Sequence, residues 1–167
     1  MKYGLIGEHL GHSFSKDIHN MIGDYDYQLK EIAPQDLDAF MKARDFLGIN
    51  VTIPYKQDVI PYLDEVDQAA QRIGAVNTIV NKNGKLYGYN TDFYGMKSLL
   101  EKMGLSVKGK KVLILGTGGT SKTAKALVQS LGCKSVAKVS RHPESETSEG
   151  TDPSSSSSCQ VITYEEA

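Results

Sequence analysis

Four short segments hold the residues whose types and spacing could do chemistry. In the first, residues 11–20, Ser13 and Ser15 stand two apart just ahead of an amphipathic stretch. Two hydroxyls at a helix start, with its free N–H groups and positive dipole end, suit a carboxylate. A plainer account also covers them: Ser15 caps the helix and Ser13 is solvated. His9, His12 and His19 lie nearby, but their spacing fits no standard zinc pattern. The second segment, Asn50-Val51-Thr52-Ile53-Pro54-Tyr55-Lys56, puts polar residues at the end of an apolar run, where α/β proteins take ligands. Pro54 is expected to stop the strand and start a helix, with Lys56 in its first turn. A cation there is unfavourable unless an anion offsets it, so Lys56 is either a ligand-facing ammonium or an exposed surface lysine.

The third segment joins Gly74-Ala75-Val76-Asn77-Thr78 to Gly88-Tyr89-Asn90-Thr91-Asp92. Asn77 is expected within an apolar strand, where its amide needs partners. Asp92 is expected to open a helix, and a capping role alone would explain it. The fourth, Gly116-Thr117-Gly118-Gly119, stands between an apolar run and a helical pattern. Gly116 permits the tight turn and Gly118 lets the backbone approach a pyrophosphate, while Ser121 takes the place of the third glycine in the usual fingerprint. The next strand ends in Ser140-Arg141-His142. An NAD site usually carries an acidic residue here. Arg141 instead suits a 2′-phosphate by charge and by its planar donor fork, which favours NADP; the alternative is a surface arginine in a polar loop.

The elements that must position these residues follow from the apolar pattern. Strands are expected at 3–6, 25–32, 48–53, 75–81 and 85–89, with Asn83-Gly84 as a hairpin turn. Helices are expected at 15–22, closed by Gly23, and at 34–43, 66–73 and 92–103. A second unit begins near Gly104: a buried-type strand at 110–115, a glycine turn, a helix at 120–131 and a strand at 135–140. That is one βαβ unit. The Pro/Glu/Ser/Thr-rich stretch 142–159 is expected to be a flexible loop, and 161–164 one more strand. The fold class is therefore α/β: an N-terminal α/β substrate domain, 1–103, followed by the start of a Rossmann-type dinucleotide-binding domain, 104–167. Such a domain usually needs five or six strands, so the sequence is expected to be part of a longer protein.

Bulk properties exclude several classes. A net charge of −1 over 167 residues gives no general attraction to nucleic acid or to an anionic membrane. No apolar run reaches the roughly 20 residues needed to span a bilayer, and the N-terminus is too short for a signal peptide. Cys133 and Cys159 form no framework and read as free thiols in a reducing cytoplasm.

In their joint order, His12-Ser13-Phe14-Ser15, His19-Asn20, the Asn50-to-Lys56 segment, the Asn77 and Asp92 segments and Gly116–Gly119 resemble the shikimate dehydrogenase family over residues 3–141. The resemblance implies NADPH-dependent, reversible reduction of 3-dehydroshikimate to shikimate in aromatic amino-acid biosynthesis. It assigns Ser13 and Ser15 to the substrate carboxylate, Thr52, Lys56, Asn77 and Asp92 to the ring hydroxyls, and Lys56 with Asp92 to proton handling. Gly116, Thr117, Gly118, Gly119 and Arg141 would meet the cofactor. It implies a cytoplasmic monomer or homodimer with a small-molecule substrate and no metal. Two departures stand beside the site: Gly7-Glu8-His9 where the family shows Gly-x-Pro, and Lys16 where a proline is common. The family's later Asn-Thr-x-Pro-x-Gly-Met stretch and its C-terminal helix are absent. The rival readings are a quinate/shikimate dehydrogenase using NAD, a shikimate-binding fragment without full catalysis, and a related dehydrogenase acting on a folate, against which the serine pair argues.

Overall fold

The computed structural model describes residues 1–11, 13–142 and 160–166. It divides into two compact units, Met1–Thr91 and Asp92–Ala167. His12 and residues 143–159 of the expected loop lie outside the described residues.

The first unit contains β1 (Tyr3–Gly7), α1 (Ser15–Ile22), β2 (Tyr27–Glu31), α2 (Leu37–Ala43), β3 (Gly48–Val51), β4 (Glu65–Val66), α3 (Gln68–Ile73), β5 (Thr78–Lys82) and β6 (Lys85–Tyr89). The strands form one sheet in the order β2-β1-β3-β5-β6-β4. β1 runs parallel to β2 and β3, β5 is antiparallel to β3, and β6 is antiparallel to β5. Alternation sets the buried face: on β3, Ile49 and Val51 are buried while Gly48 and Asn50 are only half-buried. Ile6, Val51, Ile79 and Leu86 meet Met41, Phe46 and Tyr55 in one core. Each such side chain stabilises the fold by about 1.5–3 kcal/mol over leaving it in water.

Local chemistry fixes the boundaries. Pro34 opens a single 3-10 turn, Pro34–Asp36, before α2 proper, so the expected helix begins in two stages. Glu65 and Val66 pair with β6 as a short strand, so the expected helix at 66 starts only after Asp67. Asp67 Oδ1 accepts the Ala70 N–H at 2.8 Å and caps α3. Asn83 (φ 55°) and Gly84 (φ 85°) close the β5–β6 hairpin across the Lys82–Lys85 pair, as expected. Asp64 ties this hairpin down: its Oδ2 accepts the Leu86 N–H and an Arg44 N–H, each at 2.8 Å. These two partners, the backbone bond first, hold the Asp64 carboxyl below the usual carboxylate range.

The second unit takes up α4 (Thr91–Lys102) from Asp92 onward, then β7 (Lys111–Leu115), α5 (Gly119–Ser130), β8 (Ser135–Val139) and β9 (Gln160–Ile162). β7, β8 and β9 are parallel and adjacent in chain order, the beginning of a Rossmann-type half. One expectation fails here. β7 is not buried: Val112 and Ile114 are half-buried, while Leu113 and Leu115 are exposed. Among the described residues it is an edge strand with only one of its faces covered. No helix among the described residues is long and apolar enough to cross a membrane.

Candidate active site

Strand direction decides where the first three segments go. β1, β3 and β6 run the same way, so the chain leaves all three at one edge of the sheet, and the antiparallel β5 enters there. That edge carries the loop from β1 with Ser13 and Ser15, the loop from β3 with Thr52 and Lys56, Asn77 just before β5, and Asn90 and Thr91 just after β6. Polar groups beyond the carboxyl ends of strands are where open α/β sheets bind ligands.

The serine pair is close. Ser13 Oγ donates to Ser15 Oγ at 3.1 Å and accepts the Ser15 N–H at 3.2 Å. α1 begins at Ser15 itself, with Phe14 as its backbone cap. Ser15 is therefore not the cap that its position suggested; the oxygen that meets the first helical N–H belongs to Ser13.

Thr52 is held by the backbone on two sides. Its N–H donates to the Ile6 carbonyl at 2.9 Å, and a Cβ on Gly7 would lie 2.7 Å from Thr52 Cγ2. Only glycine lets these two strands' exits approach so closely. Lys56 is half-buried, and its carbonyl accepts the Val76 N–H at 2.8 Å. The expected helix at Lys56 is not there. The Ile53–Pro54 bond is cis, and Tyr55 N–H to Thr52 O (3.0 Å) and Val59 N–H to Tyr55 O (3.1 Å) close successive turns instead. Lys56 therefore stands at no helix N-terminus, and what marks it is its place at the strand-end edge.

Asn77 is buried, and it lies immediately before β5 rather than inside a strand. Its main chain is fully used: the N–H donates to Tyr89 O at 3.0 Å and the carbonyl accepts the Val51 N–H at 2.8 Å. Its Oδ1 accepts the Thr91 N–H at 2.9 Å, the Thr78 hydroxyl at 3.1 Å and the Thr91 hydroxyl at 3.2 Å. A backbone N–H can only donate, so the atom facing it must be the amide oxygen. The Nδ2 group is then the donor left for a ligand. α4 begins at Thr91, so Asp92 is a first-turn residue and not the expected N-cap.

Asn50, which opens the second segment without an assigned role, and Tyr27, which the sequence did not single out, complete this network. Asn50 Nδ2 donates to Thr78 Oγ1 at 3.1 Å, and Asn50 Oδ1 accepts the Tyr27 hydroxyl at 2.7 Å. Burial, with Tyr25 as a smaller cause, pushes the Tyr27 phenol up to about 12, so it remains a donor throughout the neutral range. A signal for Asn50 existed: it is the polar residue between Ile49 and Val51, both buried.

In the second unit, Gly116 follows β7 with φ 106°, a conformation that excludes an ordinary side chain. Its N–H donates to Val139 O at 3.0 Å, so the turn is anchored to the end of β8, from which Ser140 and Arg141 continue. Gly118 caps α5 by backbone alone, and a Cβ there would meet nothing within 4 Å. Gly116, Gly118, Thr120 and Ser121 line a cavity of about 230 Å³. Ser121 Oγ is buried and makes no hydrogen bond among the described residues. An open helix N-terminus, a glycine turn and an orphaned hydroxyl fit a pyrophosphate. Arg141 is exposed at the same strand end, as a 2′-phosphate contact requires.

Residues 5–79 match the family described as the shikimate dehydrogenase substrate binding domain. Over 147 residues the chain is 46% identical to a shikimate dehydrogenase (NADP(+)) of Halothermothrix orenii, covering 83% of this chain and 51% of that protein. It is 42% identical to the same enzyme of Clostridium beijerinckii, covering 83% and 54%. Among solved structures, shikimate dehydrogenase 1 of Peptoclostridium difficile aligns with a TM-score of 0.82 at 36% identity, covering 99% of this chain and 63% of that one. The Thermus thermophilus enzyme in complex with NADP(H) and shikimate aligns at 0.74 and 30%, covering 86% and 57%. The chain spans about half the length of the curated relatives it matches. Through its substrate-domain match over residues 5–79 and these identities, the chain is similar to the shikimate dehydrogenases over about half of their length.

Proposed function

We propose that the protein is an NADP-dependent oxidoreductase that interconverts 3-dehydroshikimate and shikimate, a step of aromatic amino-acid biosynthesis. The observation that carries this reading is the Asn77 amide. Its oxygen takes three donors, which leaves Nδ2 as a donor for a ligand at the edge shared with Thr52, Lys56 and the serine pair. A polyhydroxy carboxylate matches that set. Ser13 and Ser15 take the carboxylate, and Thr52, Asn77 and Lys56 take the ring oxygens. The functional boundary of the substrate domain is placed at 103/104, with α4 serving it, and the remainder through residue 167 belongs to the cofactor domain. In the cell the protein works in the cytoplasm.

When bound, reduced nicotinamide supplies a hydride to the ring ketone. The chain's own residues do the rest. Lys56, as an ammonium, donates a hydrogen bond to the ring oxygen and passes its proton there as negative charge develops. Asp92 completes the proton-handling pair as the carboxylate that holds the ammonium and a neighbouring ring hydroxyl in line. Gly116, Thr117, Gly118 and Gly119 offer backbone to the pyrophosphate, and Arg141 selects the 2′-phosphate.

The test is shikimate-dependent reduction of NADP by the chain. Lys56→Ala lowers turnover by at least about a hundredfold, within the range of general acid–base groups. Near-normal turnover in that variant would remove Lys56 from the chemistry. A second reading is a shikimate-binding unit without turnover, for which the substrate-domain match over residues 5–79 speaks. Shikimate binding in the absence of any NADP reduction would select it.

A further inference from the structure

We propose that Tyr27 is a positioning residue for the ligand site: its phenol fixes the direction of a hydrogen-bond relay through Asn50 and Thr78 to Asn77. The inference rests on the reading above, that this edge binds a polyhydroxy ligand. The bonds run one way. Tyr27 O–H donates to Asn50 Oδ1 (2.7 Å), Asn50 Nδ2 to Thr78 Oγ1 (3.1 Å), and Thr78 O–H to Asn77 Oδ1 (3.1 Å).

The first link is the least ambiguous in its chemistry. An amide can turn over, and a threonine hydroxyl can give or accept. The buried Tyr27 phenol has no other hydrogen-bond partner among the described residues, so its proton is satisfied only when the amide presents its oxygen. With Asn50 held that way round, its NH₂ faces Thr78, and the Thr78 proton is directed at Asn77. Remove the phenol oxygen and only the long bond from Asn50 Nδ2 to the Asn77 carbonyl, at 3.5 Å, still opposes a turn of Asn50. Thr78 would then donate back to Asn50, and Asn77 would lose one of its three donors. The ligand would meet a site whose donors and acceptors alternate between two patterns.

Tyr27 is itself well held. It is 2% exposed, its ring stacks on His19 with centroids 3.8 Å apart and planes 9° apart, and it packs with Leu5 and Leu10. Tyr27→Phe keeps the ring and all of this packing, so it removes one oxygen and little else.

The experiment combines two readouts on the full chain. In nuclear magnetic resonance spectra, the Asn50 side-chain NH₂ gives two resolved, exchange-protected signals in the wild type, and Tyr27→Phe brings them together or exposes them to exchange. In calorimetry, Tyr27→Phe weakens shikimate binding about three- to tenfold, the worth of one ordinary hydrogen bond. In an Asn50→Ala background the same change has no further effect, because Tyr27 acts only through Asn50. Unchanged Asn50 signals, or an equal loss in both backgrounds, would overturn the proposal. The amide readout needs no ligand. A wild-type chain that ignores shikimate therefore counts against the substrate reading, while the Asn50 signals still decide the role of Tyr27.

Discussion

Asn77 offers the sharpest separation of structure from function, because its two amide atoms do different jobs. Asn77→Ala removes an oxygen that accepts the Thr91 N–H at 2.9 Å and two hydroxyls at 3.1 and 3.2 Å. The hydroxyls of Thr78 and Thr91 stand 3.5 Å apart and can pair with each other. The Thr91 N–H has no such substitute within the network. Thr91 is exposed, so water takes up part of this loss and the cost lies at the low end, about 1 kcal/mol. Urea unfolding followed by circular dichroism reads this as a lower midpoint at unchanged slope. Asn77→Asp keeps an oxygen facing all three donors, at the N-terminus of α4 where negative charge is favoured. It replaces only the Nδ2 donor. Stability should then return toward that of the wild type, allowing for the favourable helix end and the cost of a buried charge. Shikimate binding should remain as weak as in Asn77→Ala. The reasoning is refuted if Asn77→Ala is as stable as the wild type, or if Asn77→Asp restores binding.

Two further outcomes follow from other parts of the chain. Arg141→Ala lowers NADP affinity about 10- to 100-fold, the worth of a charge-assisted hydrogen bond, and leaves NAD affinity nearly unchanged; equal losses for both nucleotides would count against a 2′-phosphate contact. Asp64 contributes stability with a definite pH dependence. Its folded carboxyl lies below the ordinary value of about 4, so the contribution is present above that value and is lost as pH falls through the folded one. The melting temperature of the wild type should exceed that of Asp64→Asn at neutral pH, and the gap should close in acid; a gap independent of pH would contradict the assignment.

Much of the fold is legible in the sequence because its signals are local. Asn83-Gly84 names its own hairpin, Gly23 and Gly132 end their helices, and Gly116–Gly119 between a strand and a helix is readable without a structure. The expectations that failed depended on neighbours. Whether Pro54 starts a helix depends on how residues 52–59 close their turns against the sheet, and Lys56 consequently sits in a turn. Asn77 and Asp92 are each displaced by one position from their expected places because β5 and α4 begin at Thr78 and Thr91. The apolar run Lys111–Leu115 reads as buried, yet the exposure of a strand depends on what covers it. For the site, the motif residues stand out by type and order. Tyr27 does not, nor does the task of Asn50 within its motif, because both rest on a bond across 23 positions of sequence that only the sheet order β2-β1-β3 creates.

The central claim is that the strand-end edge of Met1–Thr91 binds shikimate through Lys56 and its neighbours. Calorimetric titration of the 167-residue chain with shikimate alone tests it most directly. The account predicts saturable binding at one site per chain, weakened at least tenfold by Lys56→Ala, on the order of one charge-assisted hydrogen bond. No binding by the wild type, or equal binding by Lys56→Ala, would contradict it.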